Sequence, residues 1–354
     1  MTVPPSVPPP AARAARPPCV LVLRALGLGD LLTGVPALRA VRRAFPDHDL
    51  VLAAPAALRD AVRATRCVDR FFATWAPGRA VPSLTHWPDP PPDLAVDLHG
   101  NGFESHRALA ALAPRRLWSF ARPGLPPARA PRWRADEHER LRWCRFLGAY
   151  GIAADPGALR LPPPNEEPPV AGAVVVHPGA DAPARRWPVE RYAQVARRLG
   201  AAGHRVVVTG GPAERDLVDA VAEMAALGPQ DTFLGLPFGR FSALVARAAL
   251  VVSGDTGPAH LAAAHGAPSV TLFGPVAPAR WGPPPGPHTA LWHPGPPGDP
   301  HAAHPDPLLL RIGVDDVVDA ALRLLTAPVR RADKVPEAPE KPGAQAVPGG
   351  HRGR

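Results

Sequence analysis

The chain has 354 residues, enough for two domains of ordinary size, and 46% of them are hydrophobic. Its formal net charge of +9 favours anionic partners such as nucleotide diphosphates, acidic glycans or a membrane face, although a biased codon usage explains the same excess of arginine. The basic residues are scattered and are not interleaved with aromatic ones, which argues against nucleic-acid binding.

The sequence predicts neither a signal peptide at its start nor a membrane span. The first residues lack the apolar core of a signal peptide, and no stretch reaches the roughly eighteen uninterrupted apolar residues that a membrane span requires. Cys19, Cys67 and Cys144 lie far apart and form neither a metal-binding spacing nor a disulfide framework. We therefore expect a cytoplasmic protein.

The 52 prolines mark the segments that resist packing. They crowd both ends of the chain, and we expect residues 1–17 and 328–354 to be disordered tails. A proline-rich stretch at 161–169 has the composition of an interdomain linker. The rest of the chain then divides into an N-terminal domain, 18–160, and a C-terminal domain, 170–327.

Strands and helices alternate along the first domain. The apolar run 19–24 is typical of a buried parallel strand, and a helix follows it, which Pro36 is expected to kink or shorten. Further strands are predicted at 50–53 and 94–98, and further helices at 56–64, 104–112 and 137–150.

The alternation restarts after the linker. Strands are predicted at 173–176, 204–209, 250–253 and 269–273, and helices at 188–202, 213–227, 241–248, 259–266 and 314–325. This order predicts an α/β fold with two facing Rossmann-like domains, each built on a parallel sheet. Because ligands bind at the carboxyl ends of such strands, the active site is expected in the cleft between the domains.

A glycine-containing turn, Gly27-Leu28-Gly29-Asp30, follows the first strand. Its glycines allow a sharp turn and close approach of a ligand. Asp30 would lie at or next to a helix N-terminus, where a carboxylate can accept a proton from a hydroxyl or simply cap the helix. His99 and Asn101 follow the strand at 94–98 and are expected on the same acceptor side.

Two clusters of polar residues follow strands of the second domain. Arg185 and Arg186 come before a helix and either hold a diphosphate or form a solvated basic loop. The second cluster combines a tight turn with a helix start, where free backbone N–H groups make an anion site. Its candidate residues are Asp255, Thr256, Gly257 and His260.

Two other features give weaker signals. Gly210 and Gly211 with Glu214 either border the nucleotide of a ligand or form a plain turn before a helix. His293, His301 and His304 lie in a loop rich in proline and glycine, which does not align metal ligands as a helix does. We expect no metal site.

The order of these motifs resembles glycosyltransferase family 9, the heptosyltransferase-like enzymes. The resemblance rests on R-x-x-x-x-G-D-x-x-x-x-x-P-A-L near the start, then H-P-G-A and R-R-W-P, then G-D-T-G-P-A-H-L-A-A-A. It covers roughly residues 19–325. The position two before the tryptophan is usually lysine in the family and is Arg185 here, so a wider guanidinium fork replaces an ammonium beside the diphosphate.

The resemblance implies a GT-B fold with an acceptor-binding N-terminal domain and a C-terminal domain that binds a nucleotide sugar. It implies an inverting, metal-independent transfer of heptose or a related sugar from a nucleotide-diphosphate donor, with ADP-heptose as the candidate, to a glycan or glycolipid hydroxyl. No cofactor is expected. Asp30 would be the base, Asp255 would contact the donor sugar, and Thr256, Gly257 and His260 would bind phosphate.

The expected partners are the nucleotide sugar and an envelope glycan acceptor, with peripheral contact to the inner membrane face and a monomeric chain. One alternative is a catalytically weak protein that binds a nucleotide sugar on the same fold. A nucleotide-dependent oxidoreductase is disfavoured, because residues 25–30 do not form G-x-G-x-x-G and the second strand does not end in an acidic residue.

Overall fold

The computed structural model describes residues 16–122 and 130–327. The predicted tails, 1–17 and 328–354, lie outside this range except for residues 16 and 17. Within it, the chain folds into two parallel sheets, one of five strands and one of six. The predicted α/β class with two parallel sheets is therefore confirmed.

The first sheet has the strand order β3-β2-β1-β4-β5, and all of its pairs are parallel. Its strands are β1 (Cys19–Leu23), β2 (Asp49–Ala54), β3 (Arg70–Ala73), β4 (Leu94–Asp97) and β5 (Leu117–Trp118). The helices around it are α1 (Leu28–Ala44), α2 (Arg59–Ala64), α3 (Phe103–Ala110) and α4 (Glu139–Ala149).

The second sheet has the order β11-β10-β9-β6-β7-β8 and is also parallel throughout. Its strands are β6 (Val174–His177), β7 (Val206–Gly210), β8 (Thr232–Leu234), β9 (Leu250–Gly254), β10 (Ser269–Leu272) and β11 (His288–Leu291). Its helices are α5 (Val189–Ala201), α6 (Arg215–Ala225), α7 (Phe238–Ala246), α8 (Gly257–His265), α9 (Pro278–Trp281), α10 (Pro307–Leu310) and α11 (Val314–Thr326).

Both faces of each sheet are covered. In β1, Val20 and Val22 belong to one apolar cluster and Leu21 and Leu23 to another, because successive side chains of a strand point to opposite faces. The second sheet behaves in the same way. Sheets buried on both faces explain why the central strands are continuous apolar runs.

The helix after β1 differs from the prediction, because α1 runs without interruption from Leu28 to Ala44 with Pro36 inside it. A proline in a helix costs about 3 kcal/mol. The residues around Pro36 are buried, and Leu32 packs into the apolar cluster on one face of the second sheet. Burial of this helix against both halves of the chain offsets that cost.

The loops that carry the predicted site residues lie where the strand order of each sheet reverses. The strand order reverses between β1 and β4 in the first sheet and between β6 and β9 in the second. Open parallel sheets bind ligands at this point, beyond the carboxyl ends of the strands. Asp30 follows β1, Arg185 follows β6 and Asp255 follows β9, so these loops lie where a ligand site is expected.

The exact domain boundaries at 160 and 170 stay a prediction.

Candidate active site

A cleft of about 790 Å³ lies between the carboxyl ends of the two sheets. Twelve of the fourteen residues predicted for the site line it: Gly27, Gly29, Asp30, Arg185, Arg186, Gly210, Gly211, Glu214, Asp255, Thr256, Gly257 and His260. His301 also lines the cleft, whereas His293 and His304 do not. Among the described residues, no group of His, Cys, Asp and Glu side chains is arranged to hold a metal ion.

His99 and Asn101 are the two predicted residues that do not line the cleft. The His99 ring accepts a hydrogen bond from the Ala25 N–H through Nδ1 at 3.3 Å, so it supports the turn that carries Asp30 from behind. Asn101 is exposed outside the cleft. Their place after β4 was predicted correctly, but the loop turns away because Asp97 binds the His99 N–H and the Ser105 hydroxyl.

Asp30 lies in the first turn of α1 and is only 5% exposed. Its Oδ2 accepts the Gly27 N–H at 3.2 Å, so it caps its own helix while it lines the cleft. Both of its carboxylate oxygens are also paired with Arg79, at 2.9 and 3.1 Å. The Asp30 side chain thus caps the helix and faces the cleft at the same time.

Arginines set the charge state of Asp30. Burial alone would raise the pKa of its carboxyl, but the guanidinium groups of Arg79 and Arg24 and the Gly27 hydrogen bond hold it below its ordinary value. Asp30 is therefore ionised at neutral pH. While it is paired with Arg79 it is also a weak base, because the pair stabilises the ionised form.

Arg24 is fully buried beneath Asp30 and holds its backbone. Its guanidinium donates to the carbonyl oxygens of Asp30 at 2.5 Å and Leu98 at 2.6 Å, and it pairs with Glu139 at 3.1 Å. Glu139 also binds Arg142 and the Trp143 indole N–H. This network ties the end of β1, the end of β4 and the start of α4 to the turn that carries Asp30.

The first turn of α8 is open to the cleft. Its N-cap is Thr256, whose side chain makes no capping bond, and the turn contains no acidic residue. Pro258 has no N–H, and the Ala259 N–H donates to the Thr256 carbonyl oxygen, so the Gly257 N–H is the group that this turn offers to the cleft. It lies at the positive end of the helix dipole, where an anion is attracted. A phosphate group suits this position.

Arg185 lies beside that helix start. Its Nη1 donates to the Asp255 carbonyl oxygen at 3.1 Å, and its Nη2 is 3.7 Å from the Asp181 carboxylate. Arg186 is turned to the Ala180 carbonyl oxygen, to which its Nε donates at 2.9 Å. Both line the cleft, and the fork of Arg185 lies nearer to the start of α8.

His260 joins the two halves of the site. Its Nε2 is 3.4 Å from Asp255, and its ring packs edge-on against Trp281 with 5.8 Å between centroids. A Cβ on Gly29 would lie 2.6 Å from the His260 ring, and a Cβ on Gly257 would lie 3.1 Å from Leu28. The starts of α1 and α8 therefore approach each other through two glycines, which sequence reasoning had assigned to ligand clearance and phosphate binding.

A second polar group lies at the ends of β6 and β7. Glu214 accepts the Gly211 N–H at 2.7 Å and lies 3.4 Å from Nε2 of His177, whose Nδ1 is 3.0 Å from the Thr209 hydroxyl. Burial lowers the pKa of His177, although the Glu214 carboxylate opposes this. Phe233 and Phe241 line the same end of the cleft, which suits a flat aromatic base.

Comparison with known proteins agrees with this geometry. Residues 159–297 match the family described as Glycosyltransferase family 9 (heptosyltransferase). This part of the chain, which holds the second sheet and the start of α8, is thus similar to the family. The chain is 34% identical over 113 residues to Lipopolysaccharide heptosyltransferase 3 of Escherichia coli, a stretch that covers 31% of this chain and 33% of that protein. The match thus spans about a third of the curated relative.

Solved structures of heptosyltransferases and of a family 9 protein are similar to the chain over much more of its length. The family 9 glycosyl transferase from Veillonella parvula matches 89% of this chain and 99% of its own, with a TM-score of 0.70 and 21% identity. E. coli heptosyltransferase WaaC with ADP-2-deoxy-2-fluoro heptose matches 86% and 99%, with a TM-score of 0.63 and 18% identity. The fold is therefore of the GT-B type.

Sequence reasoning missed three features of the site: Arg79, Trp281 and the phenylalanines at the far end of the cleft. Arg79 lies in a short Pro-Gly-Arg turn within a proline-rich segment, and such segments carry no periodic signal. Trp281 belongs to a helix of four residues. The Pro-Gly-Arg turn itself, with a glycine that permits an unusual backbone, was the one available clue.

Proposed function

We propose that the chain is an inverting glycosyltransferase that moves a sugar, heptose or a related one, from a nucleotide-diphosphate donor to a hydroxyl of a glycan or glycolipid. One observation carries the proposal. An ionised carboxylate, Asp30, and a basic anion site, formed by Arg185 and the start of α8, line one cleft and are contributed by different halves of the chain.

The proposed reaction is a single displacement. Asp30 accepts the proton of the acceptor hydroxyl while its oxygen forms a bond to the anomeric carbon. The bond from that carbon to the diphosphate breaks, and its electron pair leaves with the nucleoside diphosphate. Arg185 and the Gly257 N–H at the start of α8 stabilise the departing charge, and one well-placed donor of this kind is worth about 3–4 kcal/mol.

Each remaining part of the cleft has a place in this proposal. The Asp255 carboxylate would contact the donor sugar, and Glu214 with the phenylalanines would bind the nucleotide. ADP-heptose is the first donor to test, because one similar structure was solved with an ADP-heptose analogue. Metal independence is proposed because protein groups provide positive charge for the diphosphate.

The acceptor and location remain part of the same proposal. The curated relatives are named for lipopolysaccharide, and we propose an envelope glycan or glycolipid as the acceptor here. We also propose that the protein acts in the cytoplasm, with peripheral contact to the membrane that holds such an acceptor. Within residues 16–122 and 130–327, no helix is long and apolar enough to cross a membrane.

The test begins with binding. Nucleotide sugars are screened for a rise in unfolding temperature, since a ligand stabilises the folded chain by RT ln(1 + [L]/Kd). Transfer is then followed by release of the nucleoside diphosphate and by the mass of the product. We expect Asp30→Asn to bind the donor normally and to transfer about 10²–10⁴-fold more slowly, the usual worth of a general base.

Two results would contradict the proposal. Normal turnover in folded Asp30→Asn would remove Asp30 from the mechanism. Donor binding without transfer to any envelope extract, unchanged by Asp30→Asn, would favour the alternative of a nucleotide-sugar-binding protein.

A further inference from the structure

Arg79 occupies the carboxylate that the proposed reaction needs. Its two terminal nitrogens donate to the two different oxygens of Asp30, at 2.9 and 3.1 Å. One of these oxygens also accepts the Gly27 N–H. A carboxylate engaged side-on by a guanidinium fork has its best acceptor positions filled. A hydroxyl in the cleft therefore finds Asp30 occupied.

The two arginines near Asp30 are held differently. Arg24 is fully buried and is fixed by two carbonyl oxygens and Glu139. The Arg79 side chain is 38% exposed at the cleft, and among the described residues its guanidinium hydrogen-bonds to Asp30 alone. Arg24 is thus a permanent neighbour of Asp30, and Arg79 is an exchangeable one.

The backbone at Arg79 is strained. Gly78 and Arg79 have φ of +60° and +63°, in a turn that begins at Pro77. Glycine adopts this conformation freely, but for arginine it costs about 1–2 kcal/mol. The Ala80 N–H closes this turn on the Pro77 carbonyl oxygen, so the backbone carries this cost while Arg79 is held at Asp30.

Release is favoured by a new partner for the guanidinium, because the Arg79 side chain is 38% exposed and water solvates it only in part. A second anion in the cleft is such a partner. The donor diphosphate is directed to Arg185 and α8, on the other half of the site. The anion that remains available is one carried by the acceptor, close to the hydroxyl that attacks.

We propose that Arg79 is a specificity-determining residue: it keeps Asp30 occupied until an anionic group of the acceptor, a phosphate or a carboxylate, takes over its guanidinium. This inference rests on the proposed function. In the resting state a water molecule in the cleft is not deprotonated, so the donor is not hydrolysed. When the acceptor anion binds Arg79, Asp30 is freed to take the proton of the neighbouring hydroxyl.

The first experiment measures hydrolysis without acceptor, as ADP released from ADP-D-β-D-heptose. We expect Arg79→Gln to release ADP about 3- to 10-fold faster than the unmodified chain, because its base is both free and stronger. The double variant Asp30→Asn/Arg79→Gln should lose this gain. Arg66→Gln is the matched control, since Arg66 is an exposed arginine with φ of +53° outside the main cleft.

The second experiment measures transfer to a lipopolysaccharide core glycolipid. The acceptor is used intact, after removal of its phosphates with phosphatase, and after amidation of its carboxylates. We expect the unmodified chain to lose kcat with one of the two treated acceptors, which identifies the anion. Arg79→Gln should no longer distinguish that treated acceptor from the intact one. Arg79→Lys should retain a reduced preference, because it keeps the charge and loses the fork.

A parallel decrease of hydrolysis and transfer in Arg79→Gln would overturn the inference, because Arg79 would then assist the reaction directly. Equal use of all acceptors by the unmodified chain would overturn it as well.

A third measurement does not depend on turnover: the Asp30 carboxyl is titrated by ¹³C NMR and identified by its loss in Asp30→Asn. Arg79→Gln should raise the pKa of Asp30, and inorganic phosphate should raise it in the unmodified chain but not in the variant. A chain that neither binds nor hydrolyses nucleotide sugars contradicts the proposed function, while this titration still decides whether an anion exchanges with Asp30 for Arg79. No response to phosphate would refute the exchange.

Discussion

Gly29→Ala tests whether the starts of α1 and α8 meet as closely as the structure indicates. The new Cβ would lie 2.6 Å from Cδ2 and 3.2 Å from Nε2 of His260. Carbon atoms are in favourable contact at about 3.5–4.0 Å, so the two helices or the imidazole must move by about 1 Å. His260 has little freedom to do so, because it lies between Trp281 and the Asp255 carboxylate.

The effects on stability and on activity should differ. Overpacking costs about 1–3 kcal/mol, and replacing glycine by alanine in a helix returns up to about 1 kcal/mol. We therefore expect the free energy of unfolding to fall by about 0–3 kcal/mol. Activity should fall further, since a misplacement of about 1 Å in a catalytic site can cost about 10²-fold.

Gly200→Ala is the matched control, because Gly200 lies in α5 and a Cβ there meets open space. It should raise the free energy of unfolding by about 0.5–1 kcal/mol and leave turnover unchanged. Denaturant unfolding and nucleoside diphosphate release are measured for both variants. If Gly29→Ala behaves like Gly200→Ala in both assays, the close approach of the two helices is wrong.

Three further predictions concern buried charge and the donor site. Arg24→Met removes one of the two arginines paired with Glu139 and two buried hydrogen bonds to carbonyl oxygens, and denaturant titration should show a loss of about 3–5 kcal/mol. Arg185→Met should lower kcat/KM about 10²–10³-fold and Arg185→Lys much less, as steady-state assays will show; equal losses would argue against a charge effect. Burial, with a smaller effect of Arg160, lowers the pKa of His265 from 6.5 to about 4. Between these two pH values His265 is protonated in the unfolded chain and neutral in the folded chain. The contribution of His265 to the free energy of unfolding should thus be full above pH 6.5 and fall as the pH decreases towards 4. In His265→Gln, the free energy of unfolding plotted against pH should be flatter over this range.

The central strands were predictable because their burial on both faces makes them continuous apolar runs, as in β1, β6 and β9. The four edge strands β3, β5, β8 and β11 were not predicted. They are short, and most of their residues are only partly buried, so their sequences lack that signal. Their place in the sheet depends on pairing with a neighbour, a property that a local window does not contain.

The site was predictable to the same extent and for the same reason. Asp30, Arg185 and Asp255 lie in loops that follow central strands, and they line the cleft because the carboxyl ends of parallel strands meet at one edge. Arg79 was not found, since it reaches Asp30 across 49 residues from a turn after an edge strand. The contact of Arg24 with the Asp30 backbone was not predicted either. A buried arginine of this kind is recognised only from the carbonyl oxygens that surround it in the structure.

The two glycine–aspartate motifs look alike in sequence, and the structure separates their roles by where each aspartate stands relative to its helix. Asp30 lies within the first turn of α1, so its carboxylate binds back to the Gly27 N–H and satisfies the positive end of its own helix. Asp255 precedes the N-cap of α8, and its carboxylate turns to His260 instead. The start of α1 therefore carries a negative charge and the start of α8 offers a positive one. A cleft with this polarity is suited to taking a proton on one side and receiving a diphosphate on the other.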